Sequence, residues 1–210
     1  QQVKARLIRK PVITGEATPN YFFYPAAASR VWHHLPNVKL IVLLRNPVDR
    51  AYSHYQHLIT RSAYPYTFEE AIQKELEELP AIRDRYFSNP LIHDYRLTRF
   101  SLLERGKYSN HLARWLSYFA SQQLKVFSSE RFFQDPARVY QEATAFLGLD
   151  PDHKQEFKPR NINQYDPLSS ETREWLVNFY RPYNQALVNR LGASLPWAPD
   201  VKPETSLHGK

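Results

Sequence analysis

Arg45 and Ser53 have the residue types and the setting to hold an anion. The planar guanidinium of an arginine donates two parallel N–H bonds to a phosphate, and a serine hydroxyl adds a further donor. Between them begins a stretch that opens a helix, whose first backbone N–H groups are free to face a negative charge. The same pair also suits a plainer role, with Arg45 answering a carboxylate elsewhere in the fold and Ser53 facing water. His54 and His57 follow on the same stretch. They have the chemistry of an acid or a proton relay, and equally that of hydrogen-bonded structural histidines. Glu69, Glu70, Glu75, Glu77 and Glu78 offer carboxylates for a metal, but a run of like charge on a helix is first of all a solvated face. Lys158-Pro-Arg160 opens a basic, helix-poor stretch running to Asp166, with the composition to close over a bound anion.

The elements that must position Arg45 and Ser53 read clearly. Leu40 to Leu44 are five consecutive apolar residues, bounded and short, which predicts a strand buried on both faces. Asn46 is a helix cap, Pro47 suits the first helical position, and Asp49 complements the helix dipole. Val48, Ala51, Tyr52, Tyr55, Leu58 and Ile59 then recur at helical spacing. Upstream, Val12 to Thr14 predict a short strand and Ala26 to Leu35 a helix, giving the strand, crossover and strand of a parallel sheet. Thr67-Phe-Glu-Glu70 is a capping box opening an acidic helix that Pro80 is expected to stop. Residues 81 to 107 read as irregular, either a substrate-facing insertion or an exposed loop. Leu112, Trp115, Leu116 and Phe119 form an amphipathic stripe that includes Tyr108, which argues for packing at that tyrosine. Leu124 to Ser128 predict another strand, and Asp135-Pro136 caps a helix ended by Gly148. Ser169-Ser-Glu171 starts a last helix, with Pro182 expected to kink it.

Composition narrows the function. The chain has 210 residues, 42% of them hydrophobic, and a formal charge of +7. It is long enough for one domain with a core, and its charge favours an anionic ligand without the basic run of a nucleic-acid tail. With no cysteine, disulfides, thiolate metal sites and cysteine nucleophiles are excluded. No stretch approaches the roughly 20 apolar residues of a membrane span, and Gln1-Gln-Val-Lys4 is not a signal peptide. Methionine is absent as well, which points to a fragment, an engineered chain or a sequence from which residues were dropped.

Arg45-Asn-Pro-Val-Asp-Arg-Ala-Tyr-Ser53 resembles the 3′-phosphate-binding motif of sulfotransferases that use 3′-phosphoadenosine 5′-phosphosulfate (PAPS), especially the heparan sulfate enzymes and their bacterial homologues. Further segments match in order. They are Gly15-Glu-Ala-Thr-Pro-Asn-Tyr21, Arg105-Gly-Lys-Tyr108 leading to Leu112 and Trp115, Ser129-Glu-Arg-Phe-Phe-Gln-Asp-Pro136 leading to Phe146-Leu-Gly148, Tyr165-Asp-Pro-Leu-Ser169, and Phe179-Tyr-Arg-Pro-Tyr-Asn184. The first motif is specific, and the others carry weight together.

The resemblance implies an α/β fold of the P-loop-like, three-layer sulfotransferase type, with a central parallel β-sheet flanked by helices. The domain is expected over residues 1–197, with 198–210 a disordered tail. The resemblance also implies PAPS as co-substrate, with no metal, and a hydroxyl or amine acceptor on a saccharide, a metabolite or a carrier-bound polyketide. Arg45 and Ser53 are implied as 3′-phosphate ligands, Lys158 and Arg160 as a basic segment over the donor, and Glu16 as the general base. Glu16 follows the expected first strand, where a carboxylate is partly desolvated and its affinity for a proton raised.

One family feature is missing from this sequence. Gly15, Gly106, Gly148, Gly192 and Gly209 provide no glycine-rich loop with a lysine to cradle the 5′-phosphosulfate, and that half of the donor site is expected upstream of Gln1. A non-catalytic nucleotide- or glycan-binding domain is the alternative this leaves open. A basic interaction domain in which these residues are incidental is the third. Without cysteine, the chain departs from animal heparan sulfate enzymes that carry a C-terminal disulfide, and a bacterial, cytoplasmic protein is expected.

Overall fold

A computed structural model describes residues 13–61, 64–88, 97, 101–153, 155–158 and 165–203. The elements are α1 (Asn20–Phe23), α2 (Ala27–His34), β1 (Leu40–Leu44), α3 (Pro47–Arg61), α4 (Phe68–Ser88), a 3₁₀ turn (Glu104–Gly106), α5 (Tyr108–Leu116), β2 (Leu124–Ser128), α6 (Ser129–Gln134), α7 (Pro136–Leu147) and α8 (Ser170–Leu191). β1 and β2 pair in parallel, from Leu40 opposite Leu124 to Leu44 opposite Ser128. A long crossover joins them, as parallel pairing requires. This is an α/β arrangement, with helices packed against a parallel sheet.

Caps fix where the helices start and stop. The Val48 N–H donates to Asn46 Oδ1 at 3.0 Å, so Asn46 caps α3 as its side chain predicts. Thr67 and Glu70 exchange bonds of 2.8 and 3.2 Å, completing the capping box of α4. Ser128, Asp135 and Ser169 cap α6, α7 and α8 in the same way. Gly148 and Gly192 end α7 and α8 at φ 78° and 64°, a conformation that glycine adopts without a Cβ clash.

The core is divided by α8. Leu176 and Tyr180 join Val48, Ala51, Phe68, Ala71, Ile72, Leu102 and Leu103 on one side of it. Further along, Leu187 and Val188 pack with Leu44, Tyr108 and Leu112 against Val42, Leu124 and Val126 of the sheet. Trp115, Phe119 and Ala28 close the near end over Leu40. Beyond α8, Ala198 and Val201 rest on the same sheet-side core.

Several expectations are corrected. β1 is covered on one face: Ile41 and Leu43, on the other, are 42% and 55% exposed among the described residues. α5 and α8 cover β1 at Val42 and Leu44, and α5 with Ala28 of α2 covers Leu40. Pro80 does not stop α4, which runs on to Ser88. An interior proline costs about 3 kcal/mol, but Leu79 and Ile82 flank it in a buried cluster with Phe23 and Leu97, each apolar side chain returning about 1.5–3 kcal/mol. Within 81–107, Leu97, Ser101, Leu102 and Leu103 are buried rather than exposed. Ile13 and Thr14 form no strand, and Val12 lies outside the described residues.

Candidate active site

Arg45 leaves the carboxyl end of β1 and Asn46 caps the helix that follows, so a guanidinium and a helix start adjoin at one end of the sheet. The backbone between them is held from both sides. Tyr108, at the start of α5, donates its phenol hydrogen to the Arg45 carbonyl at 3.0 Å. Glu130, at the start of α6, accepts the Asn46 N–H on Oε1 at 2.7 Å. Ser53 lies further along α3 and is half-buried. Among the described residues, no hydrogen bond or ion pair engages the Arg45 guanidinium or the Ser53 hydroxyl. The Arg45 guanidinium answers no carboxylate among the described residues and so is open to an anion, while the half-buried Ser53 hydroxyl is open to an anion or to water.

Glu16 sits in an exposed, extended segment, where its Oε1 accepts the Thr18 hydroxyl at 2.5 Å. The burial expected of it is not found: Glu16 is exposed, and Ile13 and Thr14 ahead of it form no strand. Its segment is nonetheless tied towards α3. Asn20 Oδ1 accepts Arg105 Nη1 at 2.7 Å, and Arg105 Nε donates to Ser101 Oγ at 2.8 Å. Next along, the Leu102 carbonyl accepts Arg50 Nη2 from α3. Arg105 also lies over the Phe23 ring, 4.5 Å from its centroid. Two arginines thus connect the Glu16 segment to the helix bearing Ser53, although Glu16 makes no hydrogen bond to Arg45 or Ser53 among the described residues.

The basic stretch is only partly visible. Lys158 is exposed and pairs with Glu156 at 3.4 Å, while Arg160 lies outside the described residues. Beyond it, Tyr165 packs edge-on against Tyr52, and the Tyr52 hydroxyl donates to the Asp166 carbonyl at 2.9 Å. The far end of the stretch is therefore anchored to α3 one residue from Ser53. Asp49, in the first turn, accepts Arg173 Nη2 from α8 at 2.8 Å.

His54 is half-buried, with its Nδ1 enclosed. That burial, followed by the charges of Arg50, Arg105 and His57, lowers its pKa to about 3, so its imidazole is neutral at physiological pH. Its Nδ1 is buried with no hydrogen-bond partner among the described residues, as are Arg50 Nε and Arg105 Nη2. His57 is exposed.

Some residues that shape this site were not legible as such. Glu75 is buried instead of solvated, accepting the N–H groups of Leu103 and Glu104 at 2.7 Å each. Its position was the signal: it falls on the apolar stripe Phe68, Ala71, Ile72, Leu79, Ile82 that α4 turns inward. Tyr108 does pack, and its buried ring says nothing in advance about where its hydroxyl reaches. Glu130 and Arg105 lie within motif segments, but local spacing does not reveal their partners.

Comparison with known proteins gives the following. The family model described as the sulfotransferase domain matches residues 24–172. The chain is similar to the membrane-associated sulfotransferase kil1 of Dictyostelium discoideum, 26% identical over 88% of this chain and 53% of that protein. It is similar to the bifunctional heparan sulfate N-deacetylase/N-sulfotransferase 3 of Homo sapiens, 30% identical over 86% of this chain and 23% of that one. A solved sulfotransferase structure from Alicyclobacillus acidocaldarius superposes with a TM-score of 0.68 at 30% identity, over 93% of this chain and 72% of that chain. The chain thus spans about half the length of the Dictyostelium relative and under a quarter of the human one.

Proposed function

Since this chain belongs to the sulfotransferase domain family, whose chemistry is sulfuryl transfer, we propose that it takes the sulfuryl group from PAPS and passes it to a hydroxyl or amine. The observation that carries this reading is the Arg45 guanidinium at the carboxyl end of β1, beside the capped start of α3 and ahead of Ser53, with neither side chain engaged by another among the described residues. Arg45 and Ser53 would hold the 3′-phosphate of the donor. The anchored segment at Tyr165 and Asp166 supports Lys158 and Arg160 as cations that approach the same donor when it is bound.

In the reaction the acceptor oxygen or nitrogen forms a bond to sulfur in line with the breaking bond to the phosphate oxygen. The electron pair of that bond stays on the departing 3′-phosphoadenosine 5′-phosphate, and the acceptor proton passes to Glu16 as general base. Cations near the bridging oxygen favour the charge that collects there. A saccharide is the acceptor we favour, because the human relative is by name a heparan sulfate enzyme. The cysteine-free sequence and the likeness to a bacterial enzyme support a bacterial cytoplasmic setting.

Isothermal titration with 3′-phosphoadenosine 5′-phosphate tests the reading. Binding should weaken about 10- to 100-fold in Arg45→Ala, the range for a charge-assisted contact to phosphate, and by less in Ser53→Ala. No binding by the intact chain would refute it. If the nucleotide binds but Glu16→Gln transfers sulfate to an accepted acceptor at the full rate, the base is another residue.

A further inference from the structure

Two side chains far apart in sequence meet on a single peptide group. The carbonyl of Arg45 and the N–H of Asn46 are the two ends of one peptide bond, the bond that joins β1 to the cap of α3. Tyr108 donates to the first at 3.0 Å, and Glu130 accepts from the second at 2.7 Å. Tyr108 is buried, its ring packed against Phe22 and Trp197 at centroid distances of 6.4 Å each. Both grips are built into the fold rather than draped over it. Glu130 is carried by the helix that starts directly after β2, and Tyr108 opens α5, which packs on the same sheet.

We infer that Tyr108 and Glu130 are positioning residues that clamp the Arg45–Asn46 peptide and so aim the Arg45 guanidinium at an anion held ahead of α3. The plane of that peptide fixes ψ of Arg45 and φ of Asn46, and these two angles set both the root of the arginine side chain and the entry direction of the helix. A guanidinium reaches phosphate bidentately only from a restricted direction, so a loosened peptide loses affinity without losing any ligand contact. Burial raises the Tyr108 pKa above its ordinary value, which keeps the phenol protonated and donating throughout the working pH range. Glu130 Oε2 is buried with no partner among the described residues, so the peptide N–H is the only bond through which its carboxylate acts on this junction.

The inference rests on Arg45 binding the 3′-phosphate, and the test separates the two. Two variants remove the grips one at a time in the full chain, Tyr108→Phe, which keeps the packed ring, and Glu130→Ala. Each is expected to weaken 3′-phosphoadenosine 5′-phosphate about 3- to 10-fold in titration, the effect of one lost hydrogen bond. In an Arg45→Ala background the same changes should have no further effect, because there is no guanidinium left to aim. Glu130→Gln, whose amide oxygen still accepts from Asn46, should restore affinity. Amide hydrogen exchange at Asn46 should accelerate at least tenfold in Glu130→Ala while that of Val42 does not. Loss of affinity that persists in the Arg45→Ala background, or unchanged exchange at Asn46, overturns the clamp. An Arg45→Ala variant that binds the nucleotide normally refutes the phosphate reading instead, whatever the exchange at Asn46 shows.

Discussion

The Leu103 N–H donates to Glu75 Oε2 at 2.7 Å, across the boundary between α4 and the segment that leads into α5. A second bond of the same length runs from the Glu104 N–H to Oε1, so one buried carboxylate fixes two successive peptides. Burial raises the Glu75 pKa from 4.5 to about 8, against the pull of those N–H groups and of Arg50. The folded state therefore keeps a proton that the unfolded state has released between those values. The contribution of Glu75 to stability should fall as pH rises from about 4.5 to about 8, at about 1.4 kcal/mol per pH unit at most. Chemical denaturation between pH 6.5 and 8, above the titration of unfolded histidines, should show this fall in the wild type and lose it in Glu75→Gln.

His54 and His111 act in the opposite sense. Burial lowers their pKa values to about 3 and about 4 from 6.5, so folding with both rings neutral is favoured above pH 6.5 and progressively opposed below it. Taken with Glu75, these groups put the stability maximum close to pH 6.5. His54→Gln should flatten the acid limb of the curve, measured by denaturant midpoint from pH 4 to 6.5. An acid limb unchanged in that variant would show that His54 is solvated or charged in the folded protein.

Gly106 is packed against Tyr180 so closely that an added Cβ would lie 2.6 Å from the phenol oxygen. Tyr180 cannot swing away, because it is fully buried and its hydroxyl donates to the Leu103 carbonyl at 3.0 Å. Gly106→Ala should cost about 1–3 kcal/mol, the range for overpacking a core, and lower the melting temperature by several degrees. A melting temperature equal to that of the wild type would show that this contact relaxes freely.

Arg173 and Asp49 link α8 to the first turn of α3 at 2.8 Å, yet both side chains are substantially exposed. Pairs in that setting contribute about 0–1 kcal/mol. Arg173→Ala should therefore change stability by less than about 1 kcal/mol at physiological salt. A larger loss by denaturant unfolding would mean that the pair is shielded from water in solution.

The parts of this architecture that local rules dictate were readable in advance. β1 and β2 appear over the residues their apolar runs predict, and Asn46, Thr67, Asp135 and Ser169 cap the helices they were expected to cap. The strand faces were less legible, because five apolar residues in a row specify a strand without saying which side of it a helix will cover; Ile41 and Leu43 stay exposed as a result. Pro80 misled for a related reason, since its local penalty was outweighed by Leu79 and Ile82 packing with Phe23 and Leu97, residues remote in sequence. At the site, the types and setting of Arg45 and Ser53 were visible in one stretch. The contacts of Tyr108, Glu130 and Glu75 bridge distant segments and obey no local period, so only the folded chain brings them to light.

The division of the core by α8 has a consequence in time. Leu44 and Val42 are covered by Leu187 and Val188, near the opposite end of the chain. At roughly 5–20 residues per second of synthesis, β1 leaves the ribosome several seconds to half a minute before that cover exists. During that interval the strand lacks the share of its cover that α8 supplies, with only α5 made part-way through to shield it, and a nascent chain in this condition is a natural client for chaperones that bind extended hydrophobic segments.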